Sequence, residues 1–290
     1  MASKLFNFIL LSSLAFVVLC DDGVPYSSVT KIQLPPKARG PDSVPLDLLA
    51  LGPYVSVTDG GIFSNGLAPS LVSEISAKLH QIDAVGPNDG LATQIATSAE
   101  GVDFHLLIGV DVHPITETVY FADASTTFEL RNITQPGFKG DSTGRLMKYD
   151  PKTKQVTVLL RGLAGVAGPA VSTDQSFVLV LEFLGKRVRK YWLTGPKANT
   201  DEIVINLPGN PSKIKRSASE GFWVAENMIS QQPTPLTVAQ GLRIDGNGMV
   251  LETVSFVDQY FNTSITVVQE QRDALYVGSR FVDFVGVFKR

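Results

Sequence analysis

The sequence predicts an all-β fold made of repeated sheets, a β-propeller. Short strand-like runs bounded by Gly, Pro, Asn and Asp fill the 290 residues, and no long stretch carries the period of an amphipathic helix. One kind of run also recurs, as Tyr54-Val55-Ser56-Val57, Val119-Tyr120-Phe121-Ala122, Phe177-Val178-Leu179-Val180, Phe222-Trp223-Val224-Ala225 and Leu275-Tyr276-Val277-Gly278. After the first, the separations are near or somewhat above the roughly 40 to 50 residues of one four-stranded blade.

The elements follow in chain order. Lys4 precedes an apolar run from Phe8 to Leu19, and Cys20 stands before Asp21-Asp22, the layout of a cleaved secretory signal. The run is shorter than the roughly 20 apolar residues of a membrane span. Residues 1–20 are therefore read as a signal peptide and 21–290 as the propeller, with no membrane contact after cleavage. Cys20 is the only cysteine, so cleavage after it leaves neither a disulfide nor thiolate chemistry. Within 70–81, Leu71, Ile75 and Leu79 stand at helical spacing and predict a short amphipathic helix as the alternative to strands. Residues 145–149, 156–160 and 188–192 read as partner strands. Asp150-Pro151-Lys152-Thr153-Lys154 is the turn between the first two, with proline presetting the bend.

Asn132-Ile133-Thr134 and Asn262-Thr263-Ser264 are glycosylation sequons, consistent with the secretory pathway and a vacuolar or extracellular destination. A net charge of −3 with scattered Lys and Arg gives no basic stripe, which argues against nucleic acid. A small-molecule ligand is the expected partner. His80, His105 and His113 lack metal-ligand spacing, and no Ser, His and Asp set can be assembled.

The stretch Gly140 to Leu163, GDSTGRLMKYDPKTKQVTVLLRGL, with Ser176 to Val180 and Arg189 to Lys197 after it, resembles the plant strictosidine synthase-like family. Ile32-Gln33-Leu34-Pro35, Gly40-Pro41-Asp42-Ser43 and Gly52 to Gly60 extend the resemblance over most of the chain. It implies a six-bladed propeller acting on a small molecule of specialised, alkaloid-type metabolism. Between Gly60 and Val85 the chain departs from the family pattern, so an early blade is expected to be shortened or incomplete.

The family's synthase joins an amine to an aldehyde in a Pictet-Spengler condensation, with an essential glutamate just before a Gln-Glu pair. Aligning Gln269-Glu270 and the last Leu-Tyr motif puts Thr266 at that position. A positioned base is worth about 10² to 10⁴ in rate, and threonine is no base at neutral pH. Strictosidine formation is therefore not expected, and no catalytic residue is assigned. Glu270 is a candidate substitute base. Phe128 and Phe183 fall near family positions that line the substrate pocket, and Glu182, an acid in an apolar strand, is the candidate to join them.

The wider superfamily includes calcium-dependent esterases and lactonases whose metal is held by Asn, Asp and Glu oxygens. Two of the Asn positions read here as Ala167 and Lys213, leaving Asp42 and Asp111. No metal and no cofactor are assigned. A non-catalytic small-molecule-binding propeller and a calcium-dependent hydrolase stand as alternatives to a small-molecule enzyme.

Overall fold

The computed structural model describes residues 26–34, 40–43, 54–57, 62–64, 74–78, 81–85, 93–113, 115–231 and 234–290. Their strands assemble into seven antiparallel sheets, six of them the blades of a propeller and the seventh the short hairpin Ser98–Ala99 with Val102–Asp103. Blade 1 is Pro41–Ser43, Tyr54–Val57 and Ile62–Ser64, and blade 2 is Glu74–Lys78, Gln81–Val85 and Thr93–Ala96. Blade 3 comprises Leu107–Val112, Val119–Asp123, Gly144–Asp150 and Gln155–Leu163, from the axis outward. Blade 4 comprises Val166–Val171, Phe177–Glu182, Arg187–Trp192 and Asp201–Asn206, and blade 5 Asn210–Arg216, Phe222–Ser230, Leu236–Ile244 and Val250–Ser255.

Blade 6 is built from both ends of the chain. Val267–Gln271, Ala274–Gly278 and Phe284–Lys289 are followed outward by Ser28–Gln33, whose register runs from Ser28 opposite Lys289 to Gln33 opposite Phe284. Borrowing that strand covers the edge of the last blade and ties the ring together. The first strands of blades 2 to 6 pack side by side in sequence order, and blade 1 touches blade 6.

An early blade is expected to be shortened, and among the described residues blades 1 and 2 are each three-stranded. The helix over 70–81 does not form. Glu74–Lys78 instead pairs with Gln81–Val85, with Lys78 opposite Gln81. A helical spacing only three apolar residues long is a weak local preference, and the sheet on either side supplies partners for the backbone. The signal-like residues 1–20 lie outside the described residues. Among the described residues no helix is long and apolar enough to cross a membrane.

The core lies between blades. Tyr120, Ala122 and Leu146 of blade 3 meet Val166, Val178 and Val180 of blade 4. Leu179 and Leu181 of blade 4 meet Phe222, Val224 and Leu242 of blade 5, and Trp223 and Phe256 of blade 5 meet Leu275, Val277 and Phe288 of blade 6. The opposite face of blade 3, with Val119, Phe121 and Met147, covers Ile95 and Ala99. A second strand is thus buried on both faces, so both its odd and its even residues are apolar. The five recurrent runs of the sequence are the second strands of blades 1, 3, 4, 5 and 6.

Candidate functional site

In each four-stranded blade the antiparallel order puts three features on one end of the propeller. They are the head of the inner strand, the loop between second and third strands, and the end of the outer strand. Two short links, 164–165 and 207–209, pass the chain to the next blade on that same end. We call it the mouth face. It carries Phe128 in the loop after Val119–Asp123, Glu182 and Phe183 at the end of a second strand, and Thr266 just ahead of Val267–Gln271. Four positions singled out from sequence thus share one end of the molecule, on three blades.

Thr266 is 5% exposed, and its N–H donates to Gly278 O at 2.8 Å, extending the ladder of blade 6 by one rung. Phe183 is held by its backbone: its N–H donates to Gly165 O and its O accepts from Asn210 Nδ2 at 3.0 Å. The residue remains 41% exposed. Phe128 packs edge-on against Phe138, with ring centroids 5.7 Å apart, and its N–H donates to Ser125 Oγ. It closes its own loop as much as it faces the mouth.

Sequence reasoning missed other apolar residues of this face. Phe261, in the link before blade 6, and Phe281, in the last second-to-third-strand loop, are 69% and 72% exposed, and Ile229 and Leu130 are exposed beside similar loops. Ile115 and Met249 are exposed at the other end, but the exposed phenylalanines among the described residues, Phe183, Phe261 and Phe281, all stand at the mouth, and grouped apolar rings point to a ligand surface more than scattered ones do. The signal in the sequence was slight: each is an aromatic or aliphatic residue inside a turn-rich segment.

Glu182 is fully buried. Its Oε1 accepts from Arg187 Nε at 2.7 Å and Arg189 Nε at 3.0 Å, and its Oε2 from Arg187 Nη2 and the Ala164 N–H, both at 2.8 Å. All four acceptor sites of the carboxylate are occupied. The same device recurs around the ring. Asp123 accepts from the Leu106 N–H at 2.8 Å and from Arg145 Nη2 at 2.7 Å. Glu226 accepts from the Gly209 N–H at 2.7 Å and from Gln240 Nε2. Each acid ties the segment ahead of its blade's inner strand to the residue directly across the ladder, Arg145, Arg187 or Gln240. In blade 6, Ser279 Oγ donates to Ser264 O at 2.6 Å instead. An acid one or two residues past the end of the recurrent run, Asp123, Glu182 and Glu226, was the signal for this clasp.

Burial alone would raise the Glu182 carboxyl, but hydrogen bonds from Arg187, the Ala164 N–H and Arg189 hold it below the ordinary glutamate value of 4.5. Glu270 is also held low, its burial outweighed by Ser217, Trp223 and the Arg290 charge. A lowered folded value means stability that is complete above the unfolded value and lost as pH falls through the folded one. Chemical unfolding at a series of pH values is expected to show stability declining below pH 4.5. Glu182→Gln should flatten that decline, and an unchanged slope would show that the carboxylate is not held in its charged form.

Glu270 does not stand in for Thr266. Four residues along a strand span about 13 Å, which carries Glu270 toward the opposite end. There its Oε2 accepts from Ser217 Oγ, the Ala218 N–H and Trp223 Nε1. It joins blade 6 to the turn of blade 5 between Asn210–Arg216 and Phe222–Ser230.

Asp111 likewise serves the ring. Its Oδ2 accepts from the Val171 N–H at 2.9 Å and pairs with Arg216 Nη1 at 3.2 Å, and Arg216 also donates to Val171 O at 2.7 Å. With Asp111 so engaged and Ala167 and Lys213 at the two Asn positions, these residues do not fit a hard cation. The Asp42 side chain and His80 lie outside the described residues. His113 is buried, with Nδ1 3.0 Å from Thr116 Oγ1 and Nε2 3.0 Å from Thr173 O, and His105 Nδ1 lies 3.1 Å from Asp103 O. His105 stays within its own turn, whereas His113 joins its turn of blade 3 to the turn of blade 4 after Val166–Val171.

Comparison with known proteins agrees with this geometry. The profile of the family described as strictosidine synthase matches residues 109–196. Protein STRICTOSIDINE SYNTHASE-LIKE 12 of Arabidopsis thaliana is 34% identical over 99% of this chain and 96% of its own length. Protein STRICTOSIDINE SYNTHASE-LIKE 11 of the same plant is 40% identical over 79% and 69%. Strictosidine synthase of Catharanthus roseus is 38% identical over 72% and 60%. Among solved structures, a gluconolactonase from Xanthomonas campestris superposes with a TM-score of 0.60 at 11% identity, covering 91% of this chain and 90% of its own. A luciferin-regenerating enzyme does so with a TM-score of 0.60 at 13% identity, over 91% and 96%. At such identities the likeness is one of fold.

Proposed function

From the premise that the chain belongs to the strictosidine synthase-like family, we propose that it is a small-molecule enzyme of plant specialised metabolism whose reaction is not strictosidine formation. The observation that carries this reading is Thr266, buried at the head of an inner strand on the mouth face where the family alignment calls for glutamate. Exposed Phe183, Phe261 and Phe281 on that face support an apolar, aromatic-bearing ligand. Loss of the base with retention of the aromatic surface keeps binding while removing amine-aldehyde condensation.

We place the protein in the secretory pathway, vacuolar or extracellular, with glycans at Asn132 and Asn262. Both sequons fall on mouth-face segments, Asn132 in the 3-10 turn Leu130–Asn132 and Asn262 in the link ahead of blade 6. Glycans there favour a small molecule over a protein or a membrane as the occupant of the mouth.

The test is condensation of an arylethylamine with an aldehyde partner, followed by mass spectrometry. The unmodified chain is expected to give no product above a denatured control. Thr266→Glu is expected to raise condensation by about 10²-fold or more, because burial lifts a carboxyl toward neutrality and makes it a usable base. Condensation by the unmodified chain would overturn the reading. Saturable binding without turnover of any amine, aldehyde or ester tried would leave the non-catalytic alternative.

A further inference from the structure

The link from blade 5 to blade 6 makes a β-turn of Tyr260, Phe261, Asn262 and Thr263, closed by the Thr263 N–H donating to Tyr260 O at 3.1 Å. Asn262 has φ +50, and a turn with positive φ at its third residue takes glycine or asparagine there. Phe261 and Asn262 are thus the two corner residues. Phe261 is 69% exposed, and Asn262 is exposed beside it. Asn262 is also the acceptor of the sequon Asn262-Thr263-Ser264.

Blade 5 supplies the other half of the arrangement. In blades 3 and 4 the second strand stops at the clasp acid, Asp123 or Glu182, whereas Phe222–Ser230 runs four residues past Glu226. The extra pairs, from Asn227 opposite Ala239 to Ser230 opposite Leu236, raise a hairpin about 13 Å beyond the clasp. Two contacts fasten it to the link. Asn227 Nδ2 donates to Ile265 O at 2.9 Å and its Oδ1 accepts from the Ile265 N–H at 2.8 Å, and the Thr237 N–H donates to Asn262 Oδ1 at 3.0 Å. The second contact fixes the Asn262 amide by its oxygen and leaves Nδ2, the atom that carries a glycan, without a partner among the described residues. Ile229 stands directly across the ladder from Thr237 and is 62% exposed.

We propose that the first sugar of a glycan on Asn262, an N-acetylglucosamine, is a structural part of this rim, its apolar face lying on Phe261 and beside Ile229. The inference rests on the secretory reading above. Attachment forms a bond from sugar C1 to Asn262 Nδ2, breaks the C1–O bond of a lipid-linked diphosphate donor and releases one amide proton. It leaves Oδ1 on the Thr237 N–H. The C–H groups on one face of the sugar meet the negative face of the phenyl ring, while the hydroxyls stay in water. No Asp, Glu, Lys or Arg occurs between Glu226 and Arg243, so a neutral sugar suits the hairpin. A phenyl ring has two faces, and the sugar needs only one of them.

The experiment starts with mass spectrometry of the full chain secreted from cultured cells with high-mannose glycans, which is expected to show a glycan on Asn262. Melting is then followed in Thr134→Ala, which lacks the Asn132 sequon. It is measured on the intact glycan, after an endoglycosidase leaves one N-acetylglucosamine, and after an amidase removes that sugar and leaves aspartate. Trimming to one sugar is expected to change nothing, and its removal to lower the melting temperature by about 2 °C or more, to the value of unglycosylated Asn262→Asp. In Phe261→Ser, removal is expected to have no effect. A glycan whose removal leaves melting unchanged, an equal shift in Phe261→Ser, or a loss complete on trimming would overturn the proposal and leave the secretory reading standing. A bare Asn262 overturns the proposal, and bare Asn132 and Asn262 together overturn the glycosylation reading as well. None of these readouts depends on Thr266 or on turnover.

Discussion

Gly109→Ala is expected to lower stability by about 3 kcal/mol, a larger loss than any other added methyl discussed here. Gly109 sits in the inner strand of blade 3 at φ +74, a conformation that costs a non-glycine residue about 1–2 kcal/mol. Its Cβ would also stand 2.6 Å from Gly168 Cα and 3.2 Å from Ala167 O. Both are backbone atoms of the neighbouring inner strand, so no side-chain rotation relieves the clash. Overpacking of that sort costs typically about 1–3 kcal/mol more. Thermal unfolding should shift downward by about 6 to 12 °C for a chain of this size. Gly140→Ala, where nothing lies within 4 Å and φ is not positive, is the matched control. Equal melting of the two variants would mean that inner strands 3 and 4 do not abut.

Asp123→Ala is expected to cost about 3–5 kcal/mol, because it strands a guanidinium in the interior. The two side chains of the Asp123–Arg145 pair are 0% and 2% exposed, and Asp123 also holds the Leu106 N–H. Glu182→Ala removes four hydrogen bonds against three for Asp123 but should cost less, since Arg187 and Arg189 keep part of their surface in water. Adding Arg145→Met to Asp123→Ala should recover much of the loss, because an apolar pair in place of a buried ion pair is often neutral. Denaturant unfolding of the three variants beside the unmodified chain measures this. An Asp123→Ala no worse than Glu182→Ala, or no recovery in the double variant, would refute the account of the clasp.

What the chain declared in advance follows from burial geometry. A second strand lies between two neighbouring blades, so Val119–Asp123, Phe177–Glu182 and Phe222–Ser230 begin as unbroken apolar runs and stood out as repeats. Inner strands carry a weaker signal. Asn210–Arg216 contains Lys213, Lys215 and Arg216, and no local pattern says that it is the strand nearest the axis. The 70–81 segment misled for another reason: three apolar residues at helical spacing do not decide between a helix and a hairpin whose second strand, Gln81–Val85, follows directly.

The recurrent strand runs with their spacing, and the motifs from Gly140 to Leu163 and beyond, were sufficient for the propeller and the family, because each is a property of residues near one another in the chain. The roles of the acids were not. Glu182 is tied to Ala164 across 18 residues, Glu270 to Ser217 across 53 and Asp111 to Val171 across 60. Only packing decides whether a carboxylate meets an arginine, a backbone N–H or a ligand. The same is true of the mouth aromatics and of the strand Ser28–Gln33, which finds Phe284–Lys289 only when the ring closes.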